Sequence, residues 1–159
     1  QLRDAQRLAL QKTTNTGMAV LMDIGKKDNG HPPNKQDVGK RLALLALNRD
    51  YNFNIVDSGP LYSNHKIVKG SIEISFDHIG SGLIAKGSLD GFEIAGDDDC
   101  FFSASAHIEN NKIYVYSKKV KFPKNVRYGW QNYFDATLFN IEGLPASSFN
   151  SLNEYQYME

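Results

Sequence analysis

The chain has 159 residues, 41% apolar and 23% charged, which suits one ordinary domain or two small pieces and excludes a large multidomain enzyme. Its 18 cations balance 18 anions, and with neither a basic excess nor a basic stripe no nucleic-acid partner is expected. One cysteine, Cys100, excludes a disulfide framework and a Cys-rich zinc site, and the longest apolar run, Met18 to Met22, is far too short to cross a membrane.

Gln1 opens directly into a helical pattern with no signal-peptide core, so the chain is expected to be part of something longer. Leu2, Ala5, Leu8 and Ala9 fall on one side of a short amphipathic helix over residues 1–12. Met18-Ala19-Val20-Leu21-Met22 then runs apolar without alternation. That pattern predicts a parallel strand covered on both faces, with Asp23 at its carboxyl end. Ile24 to Pro33 carries two glycines and two prolines and predicts a loop. Asn34 is placed to cap a second helix, with Asp37 at its third position and Val38, Leu42 and Leu45 as its apolar face.

The pattern changes at Ser58-Gly59-Pro60. Ile72, Ile74 and Phe76 alternate with Glu73 and Ser75, the mark of a strand buried on one face. Strands are also expected at Phe92–Ile94, Ala104–Ile108 and Lys112–Tyr116. Asn110-Asn111 suits the hairpin turn before the last of these, because asparagine tolerates positive φ. The expected fold is an α/β fragment over 1–57, then an all-β antiparallel sandwich over 58–150 and a tail over 151–159.

Asp28-Asn29-Gly30-His31 follows the predicted parallel strand, where open α/β sheets place their ligands. An Asp three residues before a His can fold back onto its Nδ1–H and leave Nε2 free to accept a serine proton. The same four residues also read as a plain turn. Gly80-Ser81-Gly82 lacks the strand-to-helix context of a nucleophile elbow and reads as a turn. Asp97-Asp98-Asp99 lacks the ligand alternation of a calcium loop, and His65, His78 and His107 show no ligand spacing. Tyr128, Trp130, Tyr133 and Phe134 suit either a core or a sugar platform. No metal or cofactor is expected.

Several ordered blocks carry a resemblance. They include Asn15-Thr16-Gly17-Met18-Ala19-Val20, Asp23-Ile24-Gly25, His31-Pro32 and Val38-Gly39-x-Arg41-Leu42-Ala43. They continue through Phe76-Asp77-His78-x-Gly80-Ser81-Gly82-Leu83, Gly91-Phe92-Glu93-Ile94-Ala95-Gly96, Val126-Arg127-Tyr128-Gly129-Trp130 and Gly143-Leu144-Pro145-Ala146-Ser147. Together they resemble the carboxyl-terminal part of the sialate O-acetylesterase family, within the SGNH (GDSL-like) hydrolases. The resemblance implies a flavodoxin-like catalytic sheet, of which residues 1–57 would be the last portion. It also implies a serine esterase acting on O-acetylated sialic acid or a related glycan, with Asp28 and His31 as catalytic pair and a periplasmic or secreted location. The family's nucleophilic serine block has no match here, so that serine is expected upstream or on another chain. A non-catalytic carbohydrate-binding or accessory module is the alternative.

Overall fold

The structure, a computed structural model, describes residues 1–31 and 33–152. Among the described residues, helices α1 (Leu2–Lys12) and α2 (Lys35–Arg49) precede ten short strands. These are β1 (Leu61–Val68), β2 (Ser71–Asp77), β3 (Leu83–Ala85), β4 (Phe92–Ala95) and β5 (Phe102–Ser103). They continue as β6 (Ser105–Glu109), β7 (Lys112–Tyr116), β8 (Asn125–Tyr128), β9 (Leu138–Asn140) and β10 (Phe149–Asn150). Every pairing among the described strands is antiparallel, in sheets ordered β1-β2-β7-β6, β10-β8-β4-β5 and β3-β9.

The alternation read from the sequence sets the core. Ile72, Ile74 and Phe76 of β2 and Ile113 and Val115 of β7 are buried, as are Phe92, Ile94, Val126, Tyr128 and Phe149 of the second sheet. Phe149 joins the two layers, stacked on Tyr62 at 4.3 Å and edge-on to Phe76 at 5.9 Å. Asn110 and Asn111 both take positive φ, 50° and 58°, in the two-residue turn between β6 and β7. Ser151 is buried too, and its Oγ accepts from Val126 N–H at 2.9 Å. The tail expected over 151–159 thus begins on a buried residue, and its remainder, 153–159, lies outside the described residues.

In the first 57 residues the expected parallel strand finds no partner among the described residues, and the expected face of α1 needs correcting. Met18 to Leu21 belongs to no helix or strand and pairs with no strand among the described residues, and only Met22 of the run is buried. A parallel ladder needs a neighbour reached by a crossover, and none of the described strands runs beside it. Among the described residues no parallel pairing is formed. The face of α1 is also inverted. Asp4 and Arg7 are buried against the sandwich as an ion pair at 2.9 Å, while Leu2, Ala5 and Ala9 are exposed and Leu8 is only half-buried. Arg7 lies over the Tyr62 ring at 5.6 Å, so the polar stripe packs inward by cation–π and ionic contacts.

Two chemical features of the sandwich lead to testable results. A side chain on Gly59 would put its Cβ 2.1 Å from the Pro145 carbonyl oxygen, where Asn140 Nδ2 also donates to Ser58 O at 3.0 Å. Gly59→Ala should therefore lower stability by about 1–3 kcal/mol, visible as a fall in Tm. On the opposite face of β2, Glu73 accepts from Lys112 Nζ at 2.5 Å and Tyr114 OH at 2.8 Å, with Lys66 Nζ at 3.1 Å. The Lys112 hydrogen bond, then those of Tyr114 and Lys66, hold its carboxyl at about 2 against an ordinary 4.5, outweighing the opposing effect of burial. A depressed folded pKa contributes stability above the unfolded value that is lost as pH falls through the folded one. Glu73→Gln should flatten the loss of Tm between about pH 4.5 and pH 2, and an unchanged acid limb would refute this.

Candidate active site

Helix α2 fixes the segment that leads into the Asp28–His31 turn. Asn34 caps it as expected, accepting from Asp37 N–H at 3.1 Å, while its amide donates to the Asp37 carboxylate at 2.7 Å. That amide contact, the largest cause, lowers the Asp37 pKa. On the inward face Leu45 packs where a Cβ on Gly17 would meet its methyls at 3.1 Å. Arg49 donates to the Thr16 carbonyl and, at 2.7 Å, to Asp57. Arg41 grips the segment further on, with both terminal nitrogens on the Asp23 carboxylate at 2.7 and 2.6 Å and one on Val20 O at 2.5 Å. Asp23 thus becomes a bidentate anchor for the apolar run.

Past this anchor the chain turns at Lys26–Asn29, where Asn29 N–H donates to Lys26 O at 3.2 Å. Asp28 and His31 are both exposed on this turn. Asn29 Oδ1 accepts from the His31 backbone N–H at 2.8 Å, an Asx turn that sets the direction of the histidine. Among the described residues no hydrogen bond or ion pair joins the Asp28 carboxylate to the His31 ring. Pro32, in the His31-Pro32 block, lies outside the described residues.

Beside this turn is a cavity of about 700 Å³. Ala9 and Leu10 of α1 form one wall, Met18 to Met22 the floor, and Lys26, Asn29 and Gly30 of the turn one rim. Asn132, Tyr133 and Phe134 form the other rim. Arg3 holds that second rim, donating to Gly129 O at 2.8 Å, Gln131 O at 2.6 Å, Asn132 O at 3.2 Å and Ser148 Oγ at 3.0 Å. Ser148 Oγ in turn donates to Gly129 O at 3.1 Å. Gly129, at φ +60°, lets Met22 approach so closely that a Cβ would lie 2.9 Å from its terminal methyl. The unaligned apolar run, the first helix and the block around Trp130 thus meet at one place.

The remaining candidates have structural roles. His65 Nδ1 pairs with Tyr62 OH at 2.7 Å and Nε2 with Lys124 O at 2.8 Å, which fixes Nε2 as the protonated nitrogen. His107 stacks on Tyr114 at 5.4 Å. Ser81 Oγ donates to Glu142 at 2.6 Å, a contact that lowers the Glu142 pKa, and no imidazole partners that hydroxyl among the described residues. Tyr128 is core, its phenol oxygen accepting from Thr137 N–H and Leu138 N–H at 3.1 and 3.0 Å, with Phe134 edge-on at 5.4 Å. Burial pushes its pKa up. Arg41 and Arg3 were not singled out as site residues from the sequence. Arg41 sits within a quoted block, but its target is 18 residues away, and the contacts of Arg3 are 126 to 145 residues away.

No protein-family model matches the chain, and no curated protein matches it. A solved structure does. The chain is similar to the crystal structure of a novel carbohydrate acetylesterase from Xanthomonas citri, at 38% identity and a TM-score of 0.87. The match covers 92% of this chain and 35% of that one, so the chain spans about a third of the length of the structure it matches. At this identity the likeness is one of sequence as well as fold. A structural neighbour of this chain is thus an esterase of acetylated carbohydrates, which agrees with the broad expectation and leaves the sugar unspecified.

Proposed function

We propose that this chain is the part of a serine carboxylesterase for O-acetylated glycans that supplies the Asp28–His31 pair. The observation that carries the reading is the 38% identity over 92% of the chain to a carbohydrate acetylesterase. A serine outside this chain attacks the acetyl carbonyl, and His31 Nε2 takes its proton and returns it to the departing sugar oxygen. Water then releases the acetyl group with His31 again as base, while Asp28 orients the ring and stabilises the imidazolium. The open Asp28–His31 geometry fits a site whose hydrogen bonds tighten only when it is assembled.

The uncovered surfaces support an additional segment. Met18 to Leu21 has no strand partner among the described residues, and Leu2, at 74% exposure, and Leu42, at 52%, face outward from α1 and α2. In this reading residues 1–57 complete a flavodoxin-like SGNH sheet, and residues 58–150 are a sandwich attached to it. Sialic acid, acetylated, is the substrate the family resemblance favours, and the periplasm or exterior is the location. The test is reconstitution with the serine-bearing segment of the full-length enzyme, followed by acetate release from O-acetylated sialic acid and from acetylated neutral glycans. Turnover should require both parts. Glycan binding without turnover in the reconstituted protein would support an accessory binding module and overturn the catalytic reading.

A further inference from the structure

The net charge of zero conceals a segregated distribution, and the expectation of no basic stripe is corrected here. From Asn110 to Phe134 the chain carries five lysines, one arginine and no acidic residue. Four of those lysines, Lys118, Lys119, Lys121 and Lys124, fall in the loop joining β7 to β8, and all four are exposed.

That loop is firmly seated. Val120 is buried and its N–H donates to Ser117 O at 3.1 Å. Pro123 is buried, Lys124 N–H donates to Ala95 O at 2.8 Å, and Lys124 O accepts from His65 Nε2 at 2.8 Å. Between these anchors Phe122 is 72% exposed. A phenylalanine held out of the core on a fixed loop forgoes the stabilisation of burial and marks a contact surface. The β1–β2 turn brings a further cation, since a Cβ on Gly70 would lie 4.0 Å from Lys121 O and Lys69 is adjacent. Lys124 pairs with Asp97, but Lys69, Lys118, Lys119 and Lys121 make no ion pair among the described residues. Lys121 Nζ stands 5.4 Å from the Phe122 ring centroid, placing charge and aromatic face side by side.

We propose that this loop binds an anionic polysaccharide, with its carboxylates at Lys69, Lys119 and Lys121 and a pyranose face on Phe122. Lys121 beside Phe122, with Lys119 Nζ 5.6 Å from the ring of the partly exposed Phe102, matches a ligand that alternates charged groups with flat CH-rich faces. A lipid bilayer fits less well, because exposed Asp97, Asp98 and Asp99 adjoin the loop and would be pressed against the same anionic plane. The loop enters β8 at Asn125, whereas Gly129, just past its other end, touches Met22 beside the candidate active site. The two places are separated by the length of the strand, roughly 13 Å. This surface does not depend on the esterase assignment and stands or falls separately from it.

Affinity electrophoresis of the 159-residue chain in gels containing polygalacturonate tests the proposal. The chain should be retarded by polygalacturonate and not by its fully methyl-esterified form, and added salt should weaken the effect. Lys119→Glu with Lys121→Glu should weaken binding at least tenfold, and Phe122→Ala about fivefold or more, with Tm unchanged in both. The proposal is overturned by no retardation, by equal retardation in the methyl ester, or by unaltered binding in the variants. It is equally overturned if duplex DNA or phosphatidylglycerol vesicles bind as tightly as polygalacturonate, since that would show undirected charge.

Discussion

His31→Ala, in the esterase assembled with its serine-bearing segment, should lower kcat on p-nitrophenyl acetate by on the order of 10⁴-fold with little change in KM. The base acts on the serine proton, and its loss is felt in the transition state far more than in substrate binding. Asp28→Asn should be comparably severe, because the amide holds the wrong imidazole tautomer. Both residues are exposed on a turn, so neither change should move Tm appreciably. That separation of activity from stability distinguishes catalysis from a structural turn. A folded His31→Ala enzyme with near-native kcat would remove His31 from the mechanism.

What was legible in the sequence was what depends on near neighbours. The period-2 run Ile72, Ile74, Phe76 became β2, the asparagine pair became the β6–β7 turn, and Asn34 capped α2, each over a span of a few residues. What was not legible depends on distant partners. The inward face of α1 could not be read from Leu2, Ala5 and Ala9, because Asp4 and Arg7 are buried through contacts with one another and with Tyr62 from the sandwich. The apolar run Met18 to Met22 carries the composition of a covered strand, but a ladder needs a neighbour, which no residue within the run can supply. The candidate site divides in the same way. Asp28 and His31 are candidates from spacing and resemblance, whereas Arg41 on the apolar run and Arg3 on the Asn132 rim act over long stretches of chain. The basic loop was hidden by averaging charge over the whole molecule.

Arg41→Met should be the most damaging single change to the frame of the site. The guanidinium is about 10% exposed and its partner Asp23 about 16%, and three hydrogen bonds converge on it from Val20 O and both Asp23 oxygens. Removing it leaves a largely buried carboxylate and a carbonyl without their donor. Allowing for residual solvent access, this should cost roughly 2–4 kcal/mol. The loss should be local before it is global, because the sandwich core of Ile72, Ile74, Ile113 and Phe149 makes no use of this pair. Hydrogen exchange at the Ile24 amide, which donates to Leu21 O at 3.2 Å, should therefore accelerate well before that of β2 and β7. In the assembled esterase kcat should fall as well, since the Lys26–Asn29 turn that carries Asp28 begins three residues beyond Asp23 and inherits its position from that anchor. Asp23→Asn added to Arg41→Met should recover much of the stability by removing the unpaired charge, yet little of the kcat, because the amide cannot restore the grip on α2. If the double variant regained full activity, the ion pair would be a packing detail and the placement of the turn would have to come from elsewhere.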